Sequence, residues 1–139
     1  MFETHLVPYG MLTQVIPHCV KHLEKPLELV KERAGLDDLM RDLYNGSLHL
    51  VCVIEGGNVI GALTFMEQTY AKSKYLCVTM FGGDYGVLER AGGELMNLLE
   101  GEAKSRGCQG MEWIGRKGWR NHARAFGYEE YQTIYKRTF

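Results

Sequence analysis

The chain places Gly82-Gly83-Asp84-Tyr85-Gly86 just ahead of a helix-like run that opens at about Val87, with Arg90-Ala91-Gly92-Gly93 inside its first turns. A strand ending in glycines and feeding a helix N-terminus can hold a phosphate, because the first turn carries unpaired N–H groups and the positive end of the helix dipole. The same glycines also serve simply to turn the chain and let the helix pack closely. His18 and His22 are at i, i+4 on a predicted helix, with Cys19 between them. That spacing allows two metal ligands on one face, but nothing nearby supplies a third, so no metal is expected. Ser47, Ser73 and Ser105 lack a Gly-x-Ser-x-Gly elbow, and no P-loop or Gly-x-Gly-x-x-Gly follows a strand. A hydrolase triad, nucleotide hydrolysis and dinucleotide binding are therefore unsupported.

Composition bounds the partners. Sixteen Lys/Arg against seventeen Asp/Glu give a net charge of -1, which points to neither nucleic acid nor a membrane surface. The end of the chain is more basic: Lys104, Arg106, Arg116, Lys117, Arg120, Arg124, Lys136 and Arg137 face only Glu112, Glu129 and Glu130. A basic end suits a phosphate-bearing ligand and equally suits a solvated face. Cys19, Cys52, Cys77 and Cys108 are widely spaced, without a Cys-x-x-Cys, so four reduced thiols in a cytoplasmic setting are expected. The start, Met1-Phe2-Glu3-Thr4-His5, reads as no signal peptide, and no run approaches a membrane span.

These groups must be positioned by a fold, and residues 1–139 read as one domain, with 45% apolar residues to fill its core. Thr4–Tyr9 reads as a short strand, and Pro17 as the opening of a helix that runs to Pro26. Leu27, Val30 and Ala34, then Leu36, Leu39, Met40 and Leu43, continue at helical spacing until Asn45-Gly46. His49–Glu55 and Val59–Glu67 flank Gly56-Gly57-Asn58, a strong hairpin signal. Tyr75–Phe81 follows as a strand. Leu88, Ala91, Leu95, Leu98, Leu99 and Ala103 trace one face of a helix ending at Arg106-Gly107. Strand Gly110–Ile114, a short helix Trp119–Phe126 and strand Tyr128–Phe139 complete a β-α-α-β-β-β-α-β-α-β order. The class is α/β of the mixed α+β kind: a central, mostly antiparallel sheet flanked by helices.

That order, most specifically from His49 onward, resembles the GNAT (Gcn5-related N-acetyltransferase) superfamily. The resemblance implies acetyl-CoA as cofactor, lying along Met80, Phe81, Gly82 and Gly83 with its pyrophosphate near Arg90, Gly92 and Gly93. The family cradle is (Gln/Arg)-x-x-Gly-x-(Gly/Ala). Aligned on Arg90, Gly93 matches its first glycine but Leu95 replaces the final small residue; aligned on the helix tail, only Gly92 matches.

The family needs a base to strip the attacking ammonium and an acid to protonate the leaving thiolate. Glu67 and Glu112 are the candidate bases, and the bland reading of each is a solvated strand-end carboxylate. The acid is usually a Tyr four residues before the Gly of a Gly-Phe pair; here the pair is Gly127-Tyr128 and Ala123 occupies the Tyr position. Tyr131, Thr133 and Tyr135 share a face of the last strand, which makes Tyr135 the third catalytic candidate, although the rings also suit packing. Two functions follow. The first is an acetyl-CoA-dependent N-acetyltransferase acting on a small-molecule or peptide primary amine. The second is a catalytically inactive GNAT-fold binding or assembly module, taking a protein partner or a homo-oligomer. The Gly115-Arg116-Lys117-Gly118-Trp119 segment is similar to one in small GNAT-like proteins of tailed phages, which would make the module virion-associated.

Overall fold

A computed structural model describes residues 1–115 and 117–139, the side chain of Lys117 excepted; Arg116, within the Gly115–Trp119 segment, lies outside the described residues. Five strands form one sheet in the order β1-β2-β3-β4-β5: Phe2–Leu6, His49–Glu55, Asn58–Thr69, Lys74–Gly83 and Gly110–Trp113. Among the described residues four α-helices flank it: α1 Leu12–Leu29, α2 Leu36–Tyr44, α3 Val87–Ser105 and α4 Arg120–Ala125. β1 to β4 pair antiparallel, and β5 joins β4 in parallel. The mixed, mostly antiparallel sheet expected from the sequence is therefore present. Gly56 and Gly57 both take positive φ, 57° and 81°, which lets a two-residue turn follow the twist of β2 and β3.

Alternation along the strands divides the core. Val51, Val53, Leu63, Phe65, Leu76 and Val78 meet Leu88, Ala91, Leu95 and Leu99 of α3 on one face. Leu50, Cys52 and Ala62 meet Ile16, Cys19 and Leu23 of α1 and Leu39 and Leu43 of α2 on the other. Cys19, Cys52 and Cys77 are buried free thiols, and burial pushes Cys19 up to about 12 and Cys77 up to about 11. Among the described residues no helix is long and apolar enough to cross a membrane.

Two expectations need correction. The first helix is longer than the Pro17–Pro26 reading and holds both prolines inside it; apolar packing of its inner face outweighs the missing N–H donors. The last strand does not form. Tyr128 closes α4 through its N–H to Ala123 O, 2.9 Å, and residues 129–139 carry no regular structure. β5 has only four residues, too short an edge for a twelve-residue strand. Ion pairs Glu130–Arg120 and Lys136–Glu32 guide the segment instead.

Candidate functional site

β4 carries a bulge at the point where its neighbour leaves. Thr64 lies opposite Met80 and Phe65 opposite Val78, so Thr79 is the extra residue. The last pair between β4 and β5 is Val78 with Trp113, after which β5 ends and β4 continues to Gly83. From Thr79 to Gly83 the β5-side edge of β4 therefore meets no strand among the described residues. Thr79 is fixed from behind: its hydroxyl lies 2.7 Å from that of fully buried Thr64 and 3.1 Å from Thr64 O.

The free edge runs into a cleft of about 420 Å³ between α1, the β4–α3 loop and α4. Lys21, His22 and Lys25 form one wall, Phe81–Leu88 the floor, and Trp119 and His122 the other wall. α3 opens here, with Gly86 at φ 78° as its N-cap and no side-chain cap; the Val87 N–H donates to Asp84 O at 3.1 Å, which leaves the N–H groups of Leu88 and Glu89 to the open end of the first turn. The rim is mixed in charge. Asp84 Oδ1 lies 3.9 Å from His22 Nδ1, and Glu89 Oε1 3.5 Å from His122 Nε2. His22 is buried, with Nε2 2.9 Å from Val59 O, whereas His18 is on the solvent face; the pair forms no common ligand set.

Of the residues singled out in the sequence, Phe81, Gly82 and Gly83 line the cleft. Met80 packs on the α1-side core. Arg90 is not a lining residue: its Nη1 lies 3.3 Å from Glu55 Oε1 and its guanidinium 5.4 Å over the Phe2 ring. Gly92 lies under Phe126, and Gly93 faces open space. Arg90, Gly92 and Gly93 are therefore not among the residues lining the cleft with Gly82 and Gly83, although Arg90 Nε comes within 3.9 Å of where a Cβ on Gly86 would sit. Lys21, Lys25, Thr79 and His122 were missed; the i, i+4 spacing of Lys21 and Lys25 was the available signal.

The candidate catalytic groups lie apart. Glu112 faces the α1 side of the sheet, since Met111 and Trp113 pack on the α3 side, and it stands opposite Cys77. The Tyr70 hydroxyl donates to its Oε2 at 2.7 Å, and that bond pushes the Tyr70 phenol up to about 12. Glu67 belongs to the back of the sheet. Lys74 Nζ at 2.7 Å and Arg106 at 3.6 Å hold its carboxyl below the usual range, the Lys74 bond foremost. At about 3.3 Å per residue it is roughly 20 Å along β3 from Gly61 beside the cleft. Tyr135 is 92% exposed, in the irregular segment. Ala123 sits in α4, which carries no tyrosine. Tyr128 is the half-buried phenol nearby, pushed up to about 12 mainly by burial. It packs at Met96 and Met111, away from the cleft.

No protein-family model matches the sequence, and a search of curated proteins finds no match. Solved structures do match. One is a GCN5-related N-acetyltransferase from Ralstonia eutropha JMP134, at TM-score 0.71 and 20% identity over 99% of each chain. The fold is the GNAT fold. Another GNAT-fold match is AAC(6')-Iy in complex with the bisubstrate analogue CoA-S-monomethyl-acetylneamine, at TM-score 0.74 and 14% identity, covering 100% of this chain and 99% of that one. A third is a predicted acetyltransferase from Clostridium acetobutylicum with acetyl-CoA, at TM-score 0.69 and 12% identity, over 99% and 96% of the two chains. At such identities the likeness carries the fold alone.

Proposed function

We propose that the chain is an acetyl-CoA-dependent N-acetyltransferase acting on a primary amine. The observation that carries this is the free edge of β4, which runs from the bulge at Thr79 to the glycine loop at α3. Along β4, Cys77 beside Glu112 is about 16 Å from Gly82 at the cleft. A carboxylate and a helix N-terminus separated by an open strand edge suit a ligand whose phosphates and reactive sulfur lie at opposite ends of a long arm. The backbone of Gly82 and Gly83, the first turn of α3, and Lys21 and Lys25 would hold the phosphates. Bound acetyl-CoA would supply an activated acyl group.

The chain's own residues would do the rest. Thr79–Gly83 would offer backbone N–H and C=O groups along the arm. Glu112, oriented by Tyr70, would take a proton from the incoming ammonium through water. Ala123 has no proton to give, so the departing thiolate would draw one from solvent. Matched proteins carrying acetyl-CoA or a CoA-based analogue support the cofactor assignment.

A second reading is favoured by the covering of Gly92 and the pairing of Arg90. Phe126 covers Gly92 and Glu55 engages Arg90, as expected for a binding module that has given up the cofactor. Calorimetry with CoA separates the two. The enzyme reading expects binding that Lys25→Ala weakens by about ten-fold, or 1.4 kcal/mol, with Arg90→Ala nearly neutral. A wild-type protein silent to millimolar CoA would sink it.

A further inference from the structure

Among the described residues two polar side chains are buried, Thr64 and His22. Thr64 is satisfied by Thr79, whereas the ring of His22 is satisfied at one nitrogen. The Val59 carbonyl, 2.9 Å from Nε2, can only accept, so in the neutral ring Nε2 carries the proton. Nδ1 is then a bare lone pair. His22 lines the cleft, and Asp84 Oδ1 stands 3.9 Å from Nδ1. That is too far for a hydrogen bond, and the carboxylate is itself an acceptor.

Asp84 occupies a place that favours a ligand's anion. It belongs to the loop that opens α3, beside the N–H groups left by the first turn and the positive end of the helix dipole. Its side chain is 58% exposed, so it can turn into solvent at little cost. The other ionisable groups lining the cleft are Lys21 and Lys25 from α1, Tyr85 from the loop, Glu89 from α3 and His122 from α4. β3 and β4 bring no ionisable side chain to it. Glu89 and His122 already face each other at 3.5 Å. His22 is the buried group whose charge can change when an anion arrives, since histidine exchanges its proton near neutral pH.

We propose, resting on the cofactor reading above, that the cleft binds a diphosphate ester together with one proton, which joins His22 Nδ1 as Asp84 yields the end of α3 to the ligand. An N–H bond forms at Nδ1, the proton comes from solvent, and the imidazolium faces the incoming phosphate. Without that proton a lone pair and an anion would meet at a buried side chain, where an unmatched charge is costly. The loaded cleft holds one more proton than the free one, so affinity falls as pH rises.

Calorimetry with dephospho-CoA tests this, because that ligand lacks the phosphate monoester that itself titrates near about pH 6. Titrations in buffers of different ionisation enthalpy count the protons taken up. Just above neutral pH the wild type should take up close to one per ligand, and lose about ten-fold in affinity per further pH unit. His22→Gln keeps a donor for Val59 O and should bind without uptake, on a flat pH profile. Asp84→Asn should keep the uptake and tighten binding by about two- to five-fold, the usual scale of one charge at a helix end. Nitrogen NMR of the wild-type histidine rings needs no variant: His22 Nδ1 should pass from unprotonated to protonated as ligand is added. Uptake that persists in His22→Gln, uptake lost with His122→Gln instead, binding no tighter in Asp84→Asn, or an Nδ1 that stays unprotonated each overturns the proton linkage while the cofactor reading stands. Silence of the wild type to dephospho-CoA and CoA alike overturns both.

Discussion

The carbonyl of His22 lies directly over Gly82: a Cβ built at Gly82 would sit 1.6 Å from His22 O and 2.7 Å from its carbonyl carbon. Pro26, four residues on, has no N–H to donate to that carbonyl. α1 therefore crosses β4 at backbone contact, and the cleft is walled by the same crossing. Gly82→Ala has no flexible side chain to push aside, only helix backbone. It should cost about 3 kcal/mol or more, at the upper end for overpacking. Urea unfolding followed by circular dichroism measures it; a loss below about 1 kcal/mol would show that α1 floats on the sheet.

Gly92 has the same kind of constraint with a softer neighbour. Its Cβ would meet Phe126 Cζ at 2.4 Å, the far end of a side chain held between α3 and α4. Gly92→Ala should destabilise by about 1–2 kcal/mol. Combining it with Phe126→Leu should recover part of that loss, because the two residues share one space. Additive losses in the double-mutant cycle would mean they do not.

These glycines show where sequence reading runs out. The hairpin at Gly56-Gly57-Asn58 and the α3 stripe from Leu88 to Ala103 are legible because their causes are local: positive φ and a 3.6-residue period. The reasons for Gly82 and Gly92 lie in His22 and Phe126, far away in the chain, so a glycine that admits a phosphate cannot be told from one that admits a helix. Arg90 likewise looks like an anion ligand until Glu55 of the facing strand is seen to hold it. The expected last strand failed for a related reason: β-propensity in Tyr131–Tyr135 needs an edge to pair with, and no local pattern says which one. Glu112 could be named from its position beside Trp113, but its partner Tyr70 is invisible before β3 and β4 are paired.

His49 gives the fold a pH dependence of defined sign. It is half-buried on Phe65 with Arg106 Nη1 3.2 Å from its ring nitrogen. Burial first, and the Arg106 charge second, hold its imidazole below the usual histidine range. Between the folded value and about 6.5 the unfolded chain binds a proton that the native state refuses. Stability from this group therefore rises with pH through that window and falls as pH drops below about 6.5. Unfolding free energies measured across the window should rise more steeply for wild type than for His49→Gln. Parallel curves would remove His49 as the cause.

Glu112 and Glu67 make opposite predictions for catalysis. Glu67 is tied to Lys74 and Arg106 behind the sheet and is held in its charged form, which leaves it weakly basic and remote from the open edge. Glu112 faces the α1 side beside β4, two residues from the bulge position along the neighbouring strand, and is oriented by a phenol that keeps its proton at neutral pH. Once an amine acceptor is turned over, Glu112→Gln should lower kcat by about 10²-fold or more, within the usual range for a lost general base. CoA affinity should hardly change, because Glu112 is no part of the cleft lining. Glu67→Gln should leave kcat within about two-fold and lower stability by about 0.5–1 kcal/mol, the usual scale for a part-exposed ion pair. Steady-state kinetics and calorimetry on the two variants decide it. A Glu112→Gln protein with wild-type kcat would remove the base from the proposed chemistry, whichever ligand the cleft binds.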